Sequence, residues 1–143
     1  MATYNSDQAA KYLAVPATKL APDELGGRQR ILRWSYTTPT GGVAATSTIE
    51  LGKLPAGARV ISGLIQFGAM GATATAHVGT VADTDRYAAS IDVAAAGTSA
   101  IANTAALYLY DVTTAETVVI ATANVATWVA AKAFNGNMLY VVD

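Results

Sequence analysis

Three groups of residues carry enough chemistry to be weighed first: one histidine, a close pair of aspartates and a set of aromatic side chains. His77 is the only histidine, and so the sole candidate base for a Ser/His/Asp arrangement. It stands in the threonine-rich stretch GATATAHVGT, and no G-x-S-x-G elbow occurs elsewhere to supply a matching nucleophile. A surface or subunit-contact histidine is therefore expected, and no catalytic residue is assigned. With one histidine and no cysteine, multi-histidine metal sites, thiolate zinc sites, iron–sulfur clusters, disulfides and cysteine nucleophiles are all excluded. No metal, cofactor or catalytic site is expected.

Asp83 and Asp85 in ADTDRY form a small acidic pair that would bind calcium if neighbouring carbonyls completed the oxygen shell. Two carboxylates with Arg86 beside them fit better a turn in which aspartate accepts backbone hydrogen bonds. Trp34, Trp128 and the tyrosines at 36, 87, 108, 110 and 140 would suit a sugar-stacking platform, but aromatics on strands usually form core or cross-strand pairs. In LPAGAR the proline fixes φ and the glycine is free to take positive φ, which predicts a turn over 53–58. A phosphate-binding loop would need several glycines, a Lys-Ser/Thr pair and a following helix, none of which is present.

The elements that must hold these residues read as short strands. RQRILRWSYTT places Leu32, Trp34 and Tyr36 on one face and Ile31, Arg33 and Ser35 on the other. VAATSTIEL is a second strand. In RVISGLIQF, uninterrupted alternation puts Ile61, Gly63, Ile65 and Phe67 toward the core, and Val60 and Leu64 on a second face that another sheet edge or subunit must cover. GATATAHVGT alternates alanine and valine with Thr73, Thr75 and His77, the pattern of a strand with one wet face. VADTDRYAASIDVA follows, and AGTSAIANTA is a small-residue loop or a weak strand. ALYLYDV, TVVIATAN, ATWVAAKAF and NMLYVVD complete the set. Thr113-Thr114 and Asn135-Gly136 are the turn signals among them, the second a strong hairpin cue. The fold class is thus all-β, an antiparallel β-sandwich or jelly roll of about eight strands over residues 28–143.

Residues 1–27 differ in kind: Pro16 and Pro22 interrupt them, Gly26-Gly27 closes them, and no long alternation appears. We read an extended N-terminal arm, with room for a short helical turn at 6–13. Tyr4, Tyr12, Leu13, Val15 and Leu20 are apolar anchors for laying it across another surface; an arm folded over its own barrel or left disordered is the other reading. Charge is uneven in the same sense. Residues 1–59 hold seven of the nine basic groups, among them Arg28 and Arg30, against four acids, while the remainder holds two against six. A basic first part meets an acidic partner surface in one reading and is ordinary solvated charge in the other.

Of the 143 residues only 13% are charged, about half the usual fraction, while 52% are hydrophobic. Such a surface fits an oligomer or a docked protein better than a free monomer, although much of the apolar count is alanine, which buries little area. A net charge of −1 argues against a nucleic-acid binder. The 23 residues from 60 to 82 lack any formal charge, yet they hold four glycines and six polar side chains and would insert poorly into a bilayer. The start lacks the basic and apolar regions of a secretory signal, so nothing in it is expected to direct export.

YTTPTGGVAATSTIELGKLPAGARVISGLIQFG, followed by HVGTVADTDRYAAS and a closing NGNMLYVVD, resembles small virion proteins of tailed bacteriophages. The likeness covers about residues 30–143 and leaves the arm unmatched. It implies a jelly-roll head decoration, or cement, protein: a non-enzymatic subunit on the outer surface of an icosahedral capsid, bound to the major capsid protein, often as homotrimers, and made in the host cytoplasm. With it, Tyr4, Tyr12, Leu13, Val15, Leu20, Arg28 and Arg30 become candidate capsid or subunit contacts. The alternative reading is a host-glycan binding module or a tail or fibre component.

Overall fold

The computed structural model describes residues 29–101 and 113–142. Their strands are β1 (Gln29–Thr37), β2 (Thr48–Leu54), β3 (Ala58–Phe67), β4 (Thr75–Thr80), β5 (Ala88–Asp92), β6 (Gly97–Ile101), β7 (Thr117–Asn124) and β8 (Ala133–Val142). They form two antiparallel four-stranded sheets, ordered β1-β8-β3-β6 and β2-β7-β4-β5. Four of the pairings are nested in strand order among the described residues: β1 with β8, β2 with β7, β3 with β6 and β4 with β5. Such pairings make one long hairpin. Rolling it up adds β8–β3 and β7–β4 contacts and closes two facing sheets, which is the jelly-roll arrangement.

Between the sheets lie Trp128, Phe134, Leu54, Ile65, Met70, Ile101 and Met138, all fully buried. The Trp128 and Phe134 rings sit 5.2 Å apart at 34°, a tilted pairing of the kind aromatic quadrupoles favour. The β2–β3 turn is secured from outside the strands. Gly57 adopts φ 78° and donates its N–H to the Thr113 carbonyl at 2.7 Å. The buried Thr113 hydroxyl donates to Pro55 O at 2.6 Å and accepts from Ala58 N at 2.9 Å. The predicted turn therefore forms, shortened to 55–57 because β2 runs on through Lys53 and Leu54.

Alternation in β1 is as the sequence predicts: Leu32, Trp34 and Tyr36 pack inward while Ile31, Arg33 and Ser35 point out. β3 departs from it. The pairing with β8 slips between Val60 and Ser62, so that one extra residue stands opposite the partner strand and the parity of every position before it is inverted. Val60 is consequently a core residue at 3% exposure, whereas Ile61, expected in the core, is 44% exposed. Ile65 and Phe67 are buried and Leu64 is exposed, in line with the sequence reading of the segment after the bulge.

Other local readings are corrected by tertiary context. Asn135-Gly136 makes no hairpin; it lies within β8, where Gly136 pairs with Trp34 on one side and Ile65 on the other. A Cβ at Gly136 would meet the Trp34 ring, and the Leu64 carbonyl at 2.8 Å, so glycine is required there by close approach rather than by a turn. Asn135 Oδ1 accepts from Ser35 Oγ at 2.9 Å and from Tyr36 N at 3.2 Å, bonds to the neighbouring strand in place of its own turn. ATWVAAKAF is a strand only from Ala133; before that Trp128 makes a lone bridge with Val43 and buries its indole. VAATSTIEL likewise begins its strand at Thr48, after a turn closed by Ser47 N to Ala44 O at 3.1 Å. AGTSAI, the weak candidate, is a true strand, β6. ALYLYDV lies outside the described residues.

Candidate functional site

The residues with catalytic potential are occupied by structure. β5 carries a bulge opposite His77, because Ala76 pairs with Ile91 and Val78 with Ala88. Ser90 there takes φ 49°, which turns its N–H to His77 Nδ1 at 3.2 Å. Asn124 Nδ2 lies 2.7 Å from the other ring nitrogen, Nε2, a second hydrogen bond whose direction follows the ring tautomer. Both ring nitrogens thus tie β4 to its two neighbours. His77 acts as a cross-strand link.

Asp83 and Asp85 lie in the β4–β5 loop, and both are exposed. The loop is closed by backbone groups: Asp83 O accepts from Thr80 N at 2.7 Å and from Arg86 N at 3.4 Å, and Asp83 N donates to Thr80 Oγ1 at 3.1 Å. Among the described residues no group of three or more histidine, aspartate or glutamate side chains is placed to hold a metal ion. Beside the loop is a cleft of about 410 Å³ lined by Val81, Arg86, Tyr87, Thr113 and Glu116, among others. On its rim Lys53 Nζ donates to Glu116 Oε1 at 3.0 Å. That hydrogen bond and the carboxylate charge hold the Lys53 pKa above the ordinary lysine range. The pair is exposed and its contribution small. Trp34, Tyr87 and Trp128 are buried and Tyr36 and Tyr140 half-buried, so these five present no open stacking platform.

What the fold does expose is an apolar sheet face. Register sets its rows: Ile31 of β1 lies beside Leu139 of β8 and Ser62 of β3, and Arg33 lies beside Asn137, Leu64 and Ala100 of β6. Paired residues of an antiparallel sheet share a face, so all of these point away from the core. Ile31 is 54%, Leu64 48% and the bulged Ile61 44% exposed. Three large aliphatic side chains on one outer face are unusual for a free monomer, which tends to scatter them singly. The four strands of this sheet contain Arg30, Arg33 and Arg59 and no carboxylate. A groove of about 300 Å³ crosses the face between Arg33, Leu64, Gln66, Asn135 and Asn137.

Of the contact residues expected from sequence, Arg30 is exposed at the start of β1, in the row of Tyr140 and Val60 on the opposite side of the sheet from this face. Tyr4, Tyr12, Leu13, Val15, Leu20 and Arg28 lie outside the described residues. Sequence reasoning did find Leu64 and Ile31 as outward apolar residues. It missed Ile61, whose only signal is the bulge.

The jelly-roll architecture recurs in solved structures. A chain of the capsid of Ralstonia phage GP4 superposes with a TM-score of 0.69 at 20% identity, over 82% of this chain and 86% of that one. A chain of the Cyanophage Pam1 capsid asymmetric unit matches over the full length of both, with a TM-score of 0.67 at 20% identity. A third, from the acidic stable capsid structure of Helicobacter pylori bacteriophage KHP30, gives 0.54 at 18% identity over 78% and 86%. At these identities the likeness is one of fold. No protein-family model and no curated protein matches the chain. Among the described residues no helix is long and apolar enough to cross a membrane.

Proposed function

We propose that this chain is a structural, non-enzymatic subunit of a bacteriophage virion, placed as a decoration or cement protein on the outer surface of an icosahedral capsid. Its partners are the major capsid protein and further copies of itself, with a homotrimer favoured. The observation that carries the reading is the correspondence of the whole fold, end to end, with a chain of the Pam1 capsid, together with the two others from phage capsids. The apolar outer face with Ile31, Ile61 and Leu64 supports it independently, since a subunit built into a shell covers such a surface. In a symmetric shell a modest contact is repeated many times, and the repetition stabilises the lattice.

The arm is assigned to attachment. A variant lacking residues 1–27 is expected to keep its β-sheet circular dichroism and lose at least tenfold in affinity for particles, a loss of the order expected when one of two linked contacts is removed. Unchanged particle binding by the truncated protein rejects that assignment. Fractionation of purified particles tests the placement. Fixed stoichiometry with heads, and none on tails, is the expected result; recovery on tails alone, or saturable sugar binding by the isolated protein, favours the tail or adhesion reading.

A further inference from the structure

The groove on the outer sheet face and the β4–β5 loop are complementary, and they belong to the same chain. The groove is rimmed by Arg33 and Leu64 on a sheet without carboxylates. The loop presents Val81, 76% exposed, with the exposed carboxylates of Asp83 and Asp85 two and four residues on. A small apolar knob followed by two acids matches in charge a small groove in which Leu64 lies among Gln66, Asn135 and Asn137 beside an arginine.

The two cannot meet within one copy. The loop shares its cleft with Thr113, which is hydrogen-bonded to Ala58 at the start of β3, whereas the groove is lined by Gln66 at the end of that strand. Eight residues of extended chain, about 26 Å, separate those points. They also lie on different sheets, since β4 and β5 belong to the one facing away.

We propose that the β4–β5 loop of one copy seats Val81 in the groove beside Leu64 of the next, with Asp83 and Asp85 against Arg33, so that this chain associates head to tail. The contact is heterologous, using two different patches, and such contacts form closed rings when the rotation between copies allows. The loop is already held by the Thr80–Asp83 bonds, so little ordering entropy is lost on docking. The contact area is small and the charges lie at its rim, so association of the isolated protein is weak and salt-dependent. The inference rests on the self-associating part of the proposed function and not on capsid attachment.

Sedimentation velocity on the full-length protein over a range of concentrations, at low and high NaCl, tests it. The wild-type chain is expected to self-associate at low salt, with affinity falling about tenfold or more at high salt. Arg33→Glu and the double change Asp83→Lys/Asp85→Lys should each weaken association by about tenfold or more, and combining all three should restore it. Thermal melting of each variant confirms that the sandwich is intact. A wild-type monomer at every concentration, association indifferent to either reversal, or failure of the triple variant to recover would overturn the proposal. None of these outcomes depends on whether the protein is found on heads.

Discussion

Replacing Val60 and Ile61 in turn with threonine tests the β3 bulge with matched side chains, because threonine keeps β-branching and leaves intrinsic strand preference nearly unchanged. Val60 is 3% exposed and packs in the core, so Val60→Thr exchanges a buried methyl for a hydroxyl of the same size. Burying that hydroxyl costs about 1–3 kcal/mol. Ile61 is 44% exposed, and Ile61→Thr trims a side chain already half in water, for about 0.5 kcal/mol. For a domain of this size 1 kcal/mol corresponds to roughly 3–5 °C in Tm, so Val60→Thr should lower Tm by about 3–15 °C and Ile61→Thr by about 2 °C. Urea titration with an unchanged m-value measures the same difference as free energy. Unbroken alternation along β3 requires the opposite order. A larger loss for Ile61→Thr than for Val60→Thr would refute the bulge and, with it, the assignment of Ile61 to the exposed face.

Gly136→Ala should destabilise the fold by about 1–3 kcal/mol, because the new Cβ meets the Trp34 ring and the Leu64 carbonyl; thermal melting measures it, and a neutral result would mean the strands are not so closely approached. Thr113→Val removes the hydroxyl that donates to Pro55 O and accepts from Ala58 N, for about 1–3 kcal/mol in urea unfolding, which would appear as no change if the turn were held by Gly57 alone. His77→Ala loses the links to Ser90 and Asn124, costing about 1 kcal/mol in the same assay. Particle binding should be untouched by it, and a loss of binding without a loss of stability would give His77 a role beyond the sheet.

Strand identity was legible wherever alternation alone decides it. TVVIATAN is β7 residue for residue, and the inward set Leu32, Trp34 and Tyr36 of β1 follows from period two. Alternation counts parity from one end, however, and a single inserted residue reverses it; nothing in ARVISGLIQF marks where the ladder slips, so Val60 and Ile61 exchange faces. Asn135-Gly136 carries the strongest short-range hairpin signal in the chain, yet it sits mid-strand because Trp34, a hundred residues away, needs the space a side chain would fill. The threonine-rich stretch around His77 reads as half wet, and Thr75 and His77 do alternate with buried Ala76 and Val78; Gly79 and Thr80 depart from the pattern because the β4–β5 loop folds over them, with Asp83 and Thr84 against Gly79. The candidate interaction face combines both lessons. Ile31 and Leu64 were visible as outward apolar residues, whereas the groove beside them is bounded by Asn135 and Asn137 next to Leu64 and Arg33, neighbours that only the pairing of β1, β8 and β3 reveals.

On the proposed function, this chain is built into the outer surface of a phage head. A cryo-electron reconstruction of particles assembled with the protein tests it most directly. The expected result is ordered density for two four-stranded sheets at lattice positions outside the shell, in fixed ratio to the major capsid protein, with the sheet face bearing Ile31, Arg33 and Leu64 covered by a neighbouring subunit. Heads that bear no such density, or density confined to the tail with that face open to solvent, would contradict it.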